Sequence, residues 1–214
     1  MAVIAVLAAL VVSLTPGTRS AALFNKNISN VASLLEQARQ TAVTQNSYVY
    51  VGMLSTGAAD VAVPNQDKPG TYVAAFISSD GTDVLRAANE VQVGGGTIQL
   101  LDGIQKLASL SFEETLPAGN ALNGSLNPAV ASKPGTVWSV KTQAGSGRAV
   151  ITFDRIIKFT PQGAARIGNA PVEAVEVVVR PSHGGAASEP EAMQAGVIRI
   201  NGLTGKIDVH QPGA

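Results

Sequence analysis

The sequence predicts an α+β fold: one long N-terminal helix, an apolar anchor continued by an amphipathic half, packed on a C-terminal antiparallel β-sheet or sandwich domain. Three observations predict it. The chain opens on an uncharged run, MAVIAVLAALVVSL, over residues 1–14. Six apolar residues, Phe24, Ile28, Val31, Leu35, Ala38 and Ala42, then follow at alternating steps of four and three, which is the spacing of a single helix face. After Asn46 the period changes to two, beginning with Tyr48-Val-Tyr-Val-Gly-Met53, the alternation of a strand. The expected organisation is a helix over 1–46, with its membrane part at about 1–20, and a β-rich globular domain over 47–214 with long loops near 55–70, 114–135 and 182–195.

The first helix needs two separate justifications. No charge precedes Arg19, yet the run is shorter than the ~20 apolar residues that cross a bilayer of about 30 Å. It is therefore either a signal core or the later part of a longer apolar helix. Ser20-Ala21-Ala22 offers a small-residue cleavage site, but no basic segment precedes the run, and the helical pattern resumes at once through Ala21, Leu23 and Phe24. The longer helix is the reading this pattern favours. In the amphipathic half, Lys26, Asn30, Gln37 and Thr44 lie opposite the stripe and Arg39 nearer its edge. Such a stripe packs along the chain's own sheet, against copies of itself, or one half on each. Asn46 is the expected stop, because asparagine tolerates the left-handed conformation common just past a helix end.

The β region follows from turn chemistry. Ser55 to Gly70, with Pro64, Asn65 and Lys68-Pro69-Gly70, reads as a loop. Thr71 to Ile77 is a strand ended by the Asp80-Gly81 turn. Ile98 to Leu101 and Leu110 to Phe112 read as short strands, with Ile104 to Leu107 as a possible helical piece. Glu114 to Gly135 is rich in Asn, Pro, Gly and Ala and reads as a long exposed loop. Lys133-Pro-Gly-Thr136 repeats Lys68-Pro-Gly-Thr71, and both lead into apolar runs, a shared turn-into-strand device. Further strands are expected at Ala149 to Phe153, Arg155 to Phe159, Val172 to Val179, Val197 to Ile200 and Lys206 to Val209. Asn201-Gly202 and Thr204-Gly205 make the last two a closing hairpin.

Composition limits the function. Fifteen Lys+Arg balance fifteen Asp+Glu, so no global field draws the chain to nucleic acid or anionic lipid. The absence of cysteine removes disulfides, thiol catalysis and cysteine metal sites together. Length and a 45% hydrophobic content suffice for one sizeable core, and 22 glycines with 11 prolines suit a β domain with long surface loops. Catalytic constellations are poorly represented. The two histidines, His183 and His210, sit in a loop and near the end of the chain with no Gly-x-Ser-x-Gly elbow. Asp80 and Asp83, with Asp154 and Glu113-Glu114, offer carboxylate pairs for acid-base work, but Asp80-Gly81 is accounted for as a turn. Gly94-Gly-Gly96 lacks the lysine and the strand-to-helix setting of a phosphate loop, and no metal-ligand spacing occurs. No enzyme activity, catalytic residue, metal or cofactor is expected.

Five segments carry a family resemblance. Residues 3–12 with Pro16 look like the membrane-spanning half of a type IV pilin or pseudopilin helix. Leu34-Leu-Glu-Gln-Ala38-Arg39-Gln-Thr-Ala42-Val43-Thr-Gln-Asn46 resembles the Ala-Arg-x-x-Ala-[Val/Ile]-x-x-Asn signature of the GspH/FimT-like minor pseudopilins. Ile151-Thr-Phe-Asp, Phe159-Thr-Pro-Gln-Gly163 and Val197-Ile-Arg-Ile-Asn-Gly-Leu-Thr-Gly-Lys-Ile-Asp-Val209 are similar to that family's strand, Phe-x-Pro-x-Gly turn and closing Thr-Gly hairpin. Residues 55–148 match nothing in the family. The basic leader, the cleavage-point glycine and the early glutamate of such proteins are also missing, which leads to the expectation that Met1 is an internal start.

The resemblance implies a minor subunit of a type II secretion or type IV pilus-like filament. It implies a single N-terminal anchor in a bacterial inner membrane, and a β domain in the periplasm or on the filament surface. Its implied partners are other pilins or pseudopilins, the inner-membrane assembly platform and, if the true N-terminus is longer, a prepilin peptidase. Phe24, Ile28, Val31, Leu35, Ala38 and Ala42 become the helix-packing and assembly face, with Ala38, Arg39, Ala42, Val43 and Asn46 as the family motif. The alternative is a membrane-anchored or secreted β-domain protein with a binding or hydrolytic role. Nucleic-acid binding is not favoured, because the tail from Gly205 offers one Lys and one Asp where phosphate-driven affinity needs several basic contacts.

Overall fold

A computed structural model describes residues 15–56, 70–87, 90–94, 96–124, 131–132, 139–144, 149–153, 155–182 and 194–212. The apolar run 1–14, most of the 55–70 loop, most of the 182–195 loop with His183, Asp154, and both 125–130 and 133–138 lie outside them. Among the described residues no helix is long and apolar enough to cross a membrane.

Helix α1 spans Thr15–Thr44. It ends as Asn46 requires. Asn46 has φ 47, its amide donates to the Val43 carbonyl at 3.3 Å, and the Ser47 amide donates to the Ala42 carbonyl at 3.0 Å. These two bonds are the Schellman pair, which satisfies carbonyls that the helix end leaves open. The chain leaves at once into β1, Val49–Thr56.

Three sheets follow. In the first, β2 (Gly70–Ser78) pairs antiparallel with β1 along its whole length. Its other members are β4 (Ile98–Leu100), β5 (Gln105–Leu107), β10 (Arg155–Phe159) and β11 (Ala165–Arg166), in the order β11-β10-β1-β2-β4 with β5 also on β2. The second has the order β14-β13-β12-β6, from β6 (Leu110–Glu113), β12 (Ala174–Pro181), β13 (Gly196–Asn201) and β14 (Ile207–His210). A short β7 (Ala131–Ser132) runs parallel to β12. The third joins β3 (Glu90–Gln92), β8 (Ser139–Ala144) and β9 (Ala149–Phe153), with β3 and β8 parallel. The remaining pairings are antiparallel, and β13 and β14 form the expected closing hairpin.

The helix covers the first two sheets together. Phe24, Ile28, Val31, Leu35, Ala38 and Ala42 share one core with Val49, Val51 and Met53 of β1, Val73 and Ala75 of β2, Ile157 and Phe159 of β10, and alternate residues of β12 and β13. Every second residue of each strand therefore meets the stripe, and each fully buried Leu, Ile or Phe contributes about 1.5–3 kcal/mol. Leu34 and Asn27 widen the buried face, and Asn27 gives its amide to the Ala108 carbonyl. The opposite alternation of the first sheet, Tyr50, Ala74, Phe76 and Ile156, faces a second core with Val140, Ile151 and Phe153 of the third sheet.

Several segments differ from the sequence reading. Gln105–Leu107, within the piece expected as helical, is a strand, because pairing with β2 at Thr71–Val73 satisfies its backbone better than one isolated turn would. A four-residue helix α2 at Val84–Ala87 and strand β3 were not expected; both are too short to show a period. The stretch 114–135 is not uniformly an exposed loop. It carries a 3-10 turn at Ala121–Gly124, where Leu122 packs with Val178 and Val197 and buried Asn120 donates to the Ala195 carbonyl at 3.0 Å. The β12 strand is shifted two residues onward from the expected 172–179, to Ala174–Pro181.

Candidate functional site

Two places gather chemically distinctive residues. The first is built on the last turns of α1. Ala38 and Ala42 are 1% and 0% exposed, so the small-residue face is covered by the chain's own sheets. Arg39, at the edge, is half-buried. Its Nη2 and Nε donate to the two Glu36 carboxylate oxygens at 2.8 and 3.2 Å, and Nη1 reaches the Thr204 carbonyl at 3.4 Å. The Arg39 hydrogen bond holds the Glu36 carboxyl below the usual carboxylate range.

Two turns close on this guanidinium. Residues 160–163 form a turn in which the Gly163 amide donates to the Thr160 carbonyl at 2.8 Å, with Gly163 at φ 83. A Cβ on Gly163 would stand 3.2 Å from Val43 and 3.6 Å from Arg39. In the β13-β14 turn Gly205 has φ 67, and its missing side chain leaves room for the Gly163 carbonyl and for Arg39 Cδ, the latter 2.6 Å from where a Cβ would be. The Ala165 amide donates to the Gly202 carbonyl at 3.0 Å, linking the first sheet to the second. The helical segment 38–46, the 159–163 turn and the 201–205 turn thus meet at one joint, although 165 residues separate Arg39 from Thr204. The joint holds elements together, and among the described residues no group of three or more His, Cys, Asp or Glu there could hold a metal ion.

The second place is a cleft of about 280 Å³ between β10, β11 and the segment before α2. Lys158 lies opposite Tyr50 in the β1-β10 register and points away from the helix side of the sheet, since its neighbours Ile157 and Phe159 occupy the helix core. Its side chain is 1% exposed and its Nζ is 2.6 Å from Asp83 Oδ2. Lys158 Nζ also donates to Asn169 Oδ1 at 3.4 Å and stands 5.8 Å from the Tyr48 ring centre. Asp83 Oδ1 accepts from the Tyr50 hydroxyl at 3.3 Å, and that hydroxyl accepts from the Val84 amide at 3.0 Å. Burial pushes the Lys158 ammonium down, against the opposing pull of Asp83, and burial together with the Asp83 charge pushes the Tyr50 phenol up. Arg86 and Arg166 line the same cleft with Thr160 and Gln162.

The sequence reading named Asp83 but not Lys158, Arg86, Arg166 or Asn169. The one sequence signal for Lys158 is a charge between Ile157 and Phe159 in a strand, and alternation alone assigns such a charge to solvent. The other carboxylates stay apart from the cleft chemistry. Asp80 accepts from the Thr82 amide and hydroxyl and from the Ser78 hydroxyl, which lowers its pKa and makes it a turn residue. Glu113 faces Arg180 at 3.9 Å, Glu114 is exposed, and His210 lies on the edge strand β14. Among the described residues no group of three His, Cys, Asp or Glu could hold a metal ion.

No protein-family description matches the chain, and no curated protein does. Among solved structures it is similar to the Pseudomonas aeruginosa (strain PAO1) type IV minor pilin FimU, at 11% identity over 89% of this chain and 93% of that one, with a TM-score of 0.40. A likeness of that size carries no argument about family or function.

Proposed function

We propose that the chain is a pilin-like structural subunit, of the GspH/FimT-like minor type, that assembles into a filament of the type II secretion or type IV pilus kind through the N-terminal part of its helix. The observation that carries this reading is the joint at Arg39. The Ala38-Arg39-x-x-Ala42-Val43-x-x-Asn46 segment, the Phe159-x-Pro-x-Gly163 turn and the Thr204-Gly205 hairpin are separate pieces of sequence. They make one contact network, which supports this reading.

The helix itself adds support. Among its described side chains Phe24 is the first that the domain buries, and Leu23 is 41% exposed. From Thr15 to Phe24 the helix rises about 13 Å at ~1.5 Å per residue, and the uncharged run precedes it in the sequence. In this reading the assembly face lies upstream of Phe24, since the stripe from Phe24 to Ala42 is occupied by the chain's own core. Ala2, Ala5, Ala8 and Ala9 suit the close helix packing that replaces the hydrophobic effect inside a bilayer. The partners are other pilin-like subunits and an inner-membrane assembly platform, with the β domain on the periplasmic or outer side. The role is structural and not catalytic.

The test is a photo-crosslinking amino acid at position 23, introduced into the gene in its native setting with its upstream sequence. Crosslinks to other helix-anchored subunits in the membrane fraction are expected. Recovery of the whole chain in the soluble fraction, with no crosslinked partner, overturns the reading.

A further inference from the structure

We propose that the cleft beside Lys158 binds a small oxyanion, a carboxylate or a phosphate group, through the guanidinium groups of Arg86 and Arg166. The inference goes beyond the filament reading and stands on different residues, on the face of the first sheet turned away from α1.

Charge is the first observation. Three cations, Arg86, Lys158 and Arg166, face one carboxylate, Asp83, in one cleft, in a chain whose overall net charge is zero. The excess is therefore a local arrangement and not a share of a basic surface. Asp83 is already committed, with one oxygen on Lys158 at 2.6 Å and the other on Tyr50 at 3.3 Å. Among the described residues neither Arg86 nor Arg166 has a carboxylate within ion-pair distance. Burial first, and the charges of Arg166 and Arg86 after it, push the Lys158 ammonium down.

Geometry is the second. Arg166 spends one Nη1 donor on the Asn169 carbonyl at 3.0 Å, which fixes its reach along the cleft. A guanidinium has five donors, and Arg166 and Arg86 both line the cleft, so donors of each are available to an anion there. Planar forks bind carboxylates and phosphates through paired, charge-assisted hydrogen bonds. The space, about 280 Å³, lies at the low end of the roughly 300–1,000 Å³ typical of small-molecule sites, and so suits a compact anion or the anionic end of a longer molecule. The Lys158–Asp83 pair forms the floor: it anchors the segment before α2 to β10 and keeps Arg86 over the cleft.

The experiment uses the full chain, labelled with 15N, and titrates inorganic phosphate and acetate in separate series at ionic strength held constant with sodium chloride. The expected result is saturable shifts centred on the Arg86 and Arg166 side-chain signals and on Asn169. Phosphate alone saturating identifies a phosphate site, and acetate saturating as well identifies a carboxylate site. Affinity should fall about tenfold or more in Arg166→Gln, the loss of a charge-assisted contact, and remain unchanged in Lys206→Gln, an exposed control. Circular dichroism melting verifies that each variant folds. Should Arg166→Gln fail to fold, the Arg86→Gln variant and the competition of acetate against phosphate in the wild type decide the same point. Shifts that rise linearly without saturation, or that spread over all basic residues equally, overturn the proposal.

Discussion

Around Arg39 the chain joins a helix, a turn and a hairpin using alanines, glycines and one guanidinium on their surface. Around Lys158, on the other side of the same sheet, it joins a strand, an edge strand and a short helix using charge. The first junction depends on small volume, since backbone carbonyls occupy the places where side chains would be. The second depends on charge balance, since the Lys158 ammonium, with 1% exposure, lies 2.6 Å from the Asp83 carboxylate. Volume and charge fail differently, and substitutions can separate the two.

The largest effect is expected at the joint. A Cβ on Gly202 would fall inside contact with the Val172 carbonyl, and one on Gly205 inside contact with the Gly163 carbonyl at a φ of 67. In both cases rigid backbone must shift. Gly202→Ala and Gly205→Ala should each cost roughly 3 kcal/mol, by combined strain and lost packing. Gly103→Ala, where nothing lies within 4 Å, should stay within about 0.5 kcal/mol of the parent. Urea denaturation measures all three, and equal midpoints across the series would show that the joint does not depend on volume.

The cleft should answer to charge with an asymmetry. Asp83→Ala leaves the Lys158 ammonium without its carboxylate in a wall of the first sheet. The loss should be about 2–3 kcal/mol, below the ~3–5 kcal/mol for fully enclosed pairs because the cleft is open on one side. Lys158→Met keeps the volume and removes the buried charge, leaving Asp83, 14% exposed, beside Arg86 and Arg166. It should cost less than half as much. Equal losses in the two variants, read from thermal melts at neutral pH, would show that the pair acts by packing and not by charge.

The two places also differ in how far the sequence reveals them. The joint was visible because its parts have local reasons. Asn46 and the Gly-containing turns announce special backbone conformations, and the stripe from Phe24 to Ala42 has a period. The longer strands of the first two sheets, β1, β2, β10, β12 and β13, run five residues or more and are legible for the same reason. The cleft was invisible because Asp83 and Lys158 are 75 residues apart and nothing local pairs them. The three-residue strands and the Ile104–Leu107 piece were ambiguous for a related reason: pairing with β2, a distant segment, decides their state, and three residues cannot show a period.

A pH series sharpens the contrast at the Tyr50 hydroxyl, which belongs to the charged place. Its phenol is pushed up from the ordinary 10.0 by burial and by Asp83. Above about pH 10 the unfolded chain releases this proton while the folded chain keeps it, so the folded state binds more protons and stability falls as pH rises. Lys158 has the opposite sign: its lowered pKa means the unfolded chain holds the extra proton just below 10.5, so its contribution rises with pH there. Tyr50→Phe isolates the first effect. It removes the bonds to Asp83 and from the Val84 amide, about 1 kcal/mol at neutral pH. The gap to the parent should then close at up to about 1.4 kcal/mol per pH unit above 10. A gap constant from pH 7 to 11 would exclude this linkage.

The smallest effect is expected where the joint begins, at the stop of α1. Asn46 occupies the left-handed region at φ 47, and its side chain has no described hydrogen bond, so its contribution is conformational. Glycine relieves the backbone of a Cβ there, while alanine keeps the Cβ without the tolerance that asparagine shows. Asn46→Gly should therefore equal or exceed the parent by a few tenths of a kcal/mol, and Asn46→Ala should lose about 1 kcal/mol. The Schellman bonds from the Asn46 and Ser47 amides are backbone bonds and persist in both variants, so amide exchange at position 47 should stay slow in Asn46→Gly. If alanine and glycine give the same melting temperature, the helix stop is set by the strand that follows it, through the Ser78 amide bond to the Tyr48 carbonyl, and not by the residue at the turn.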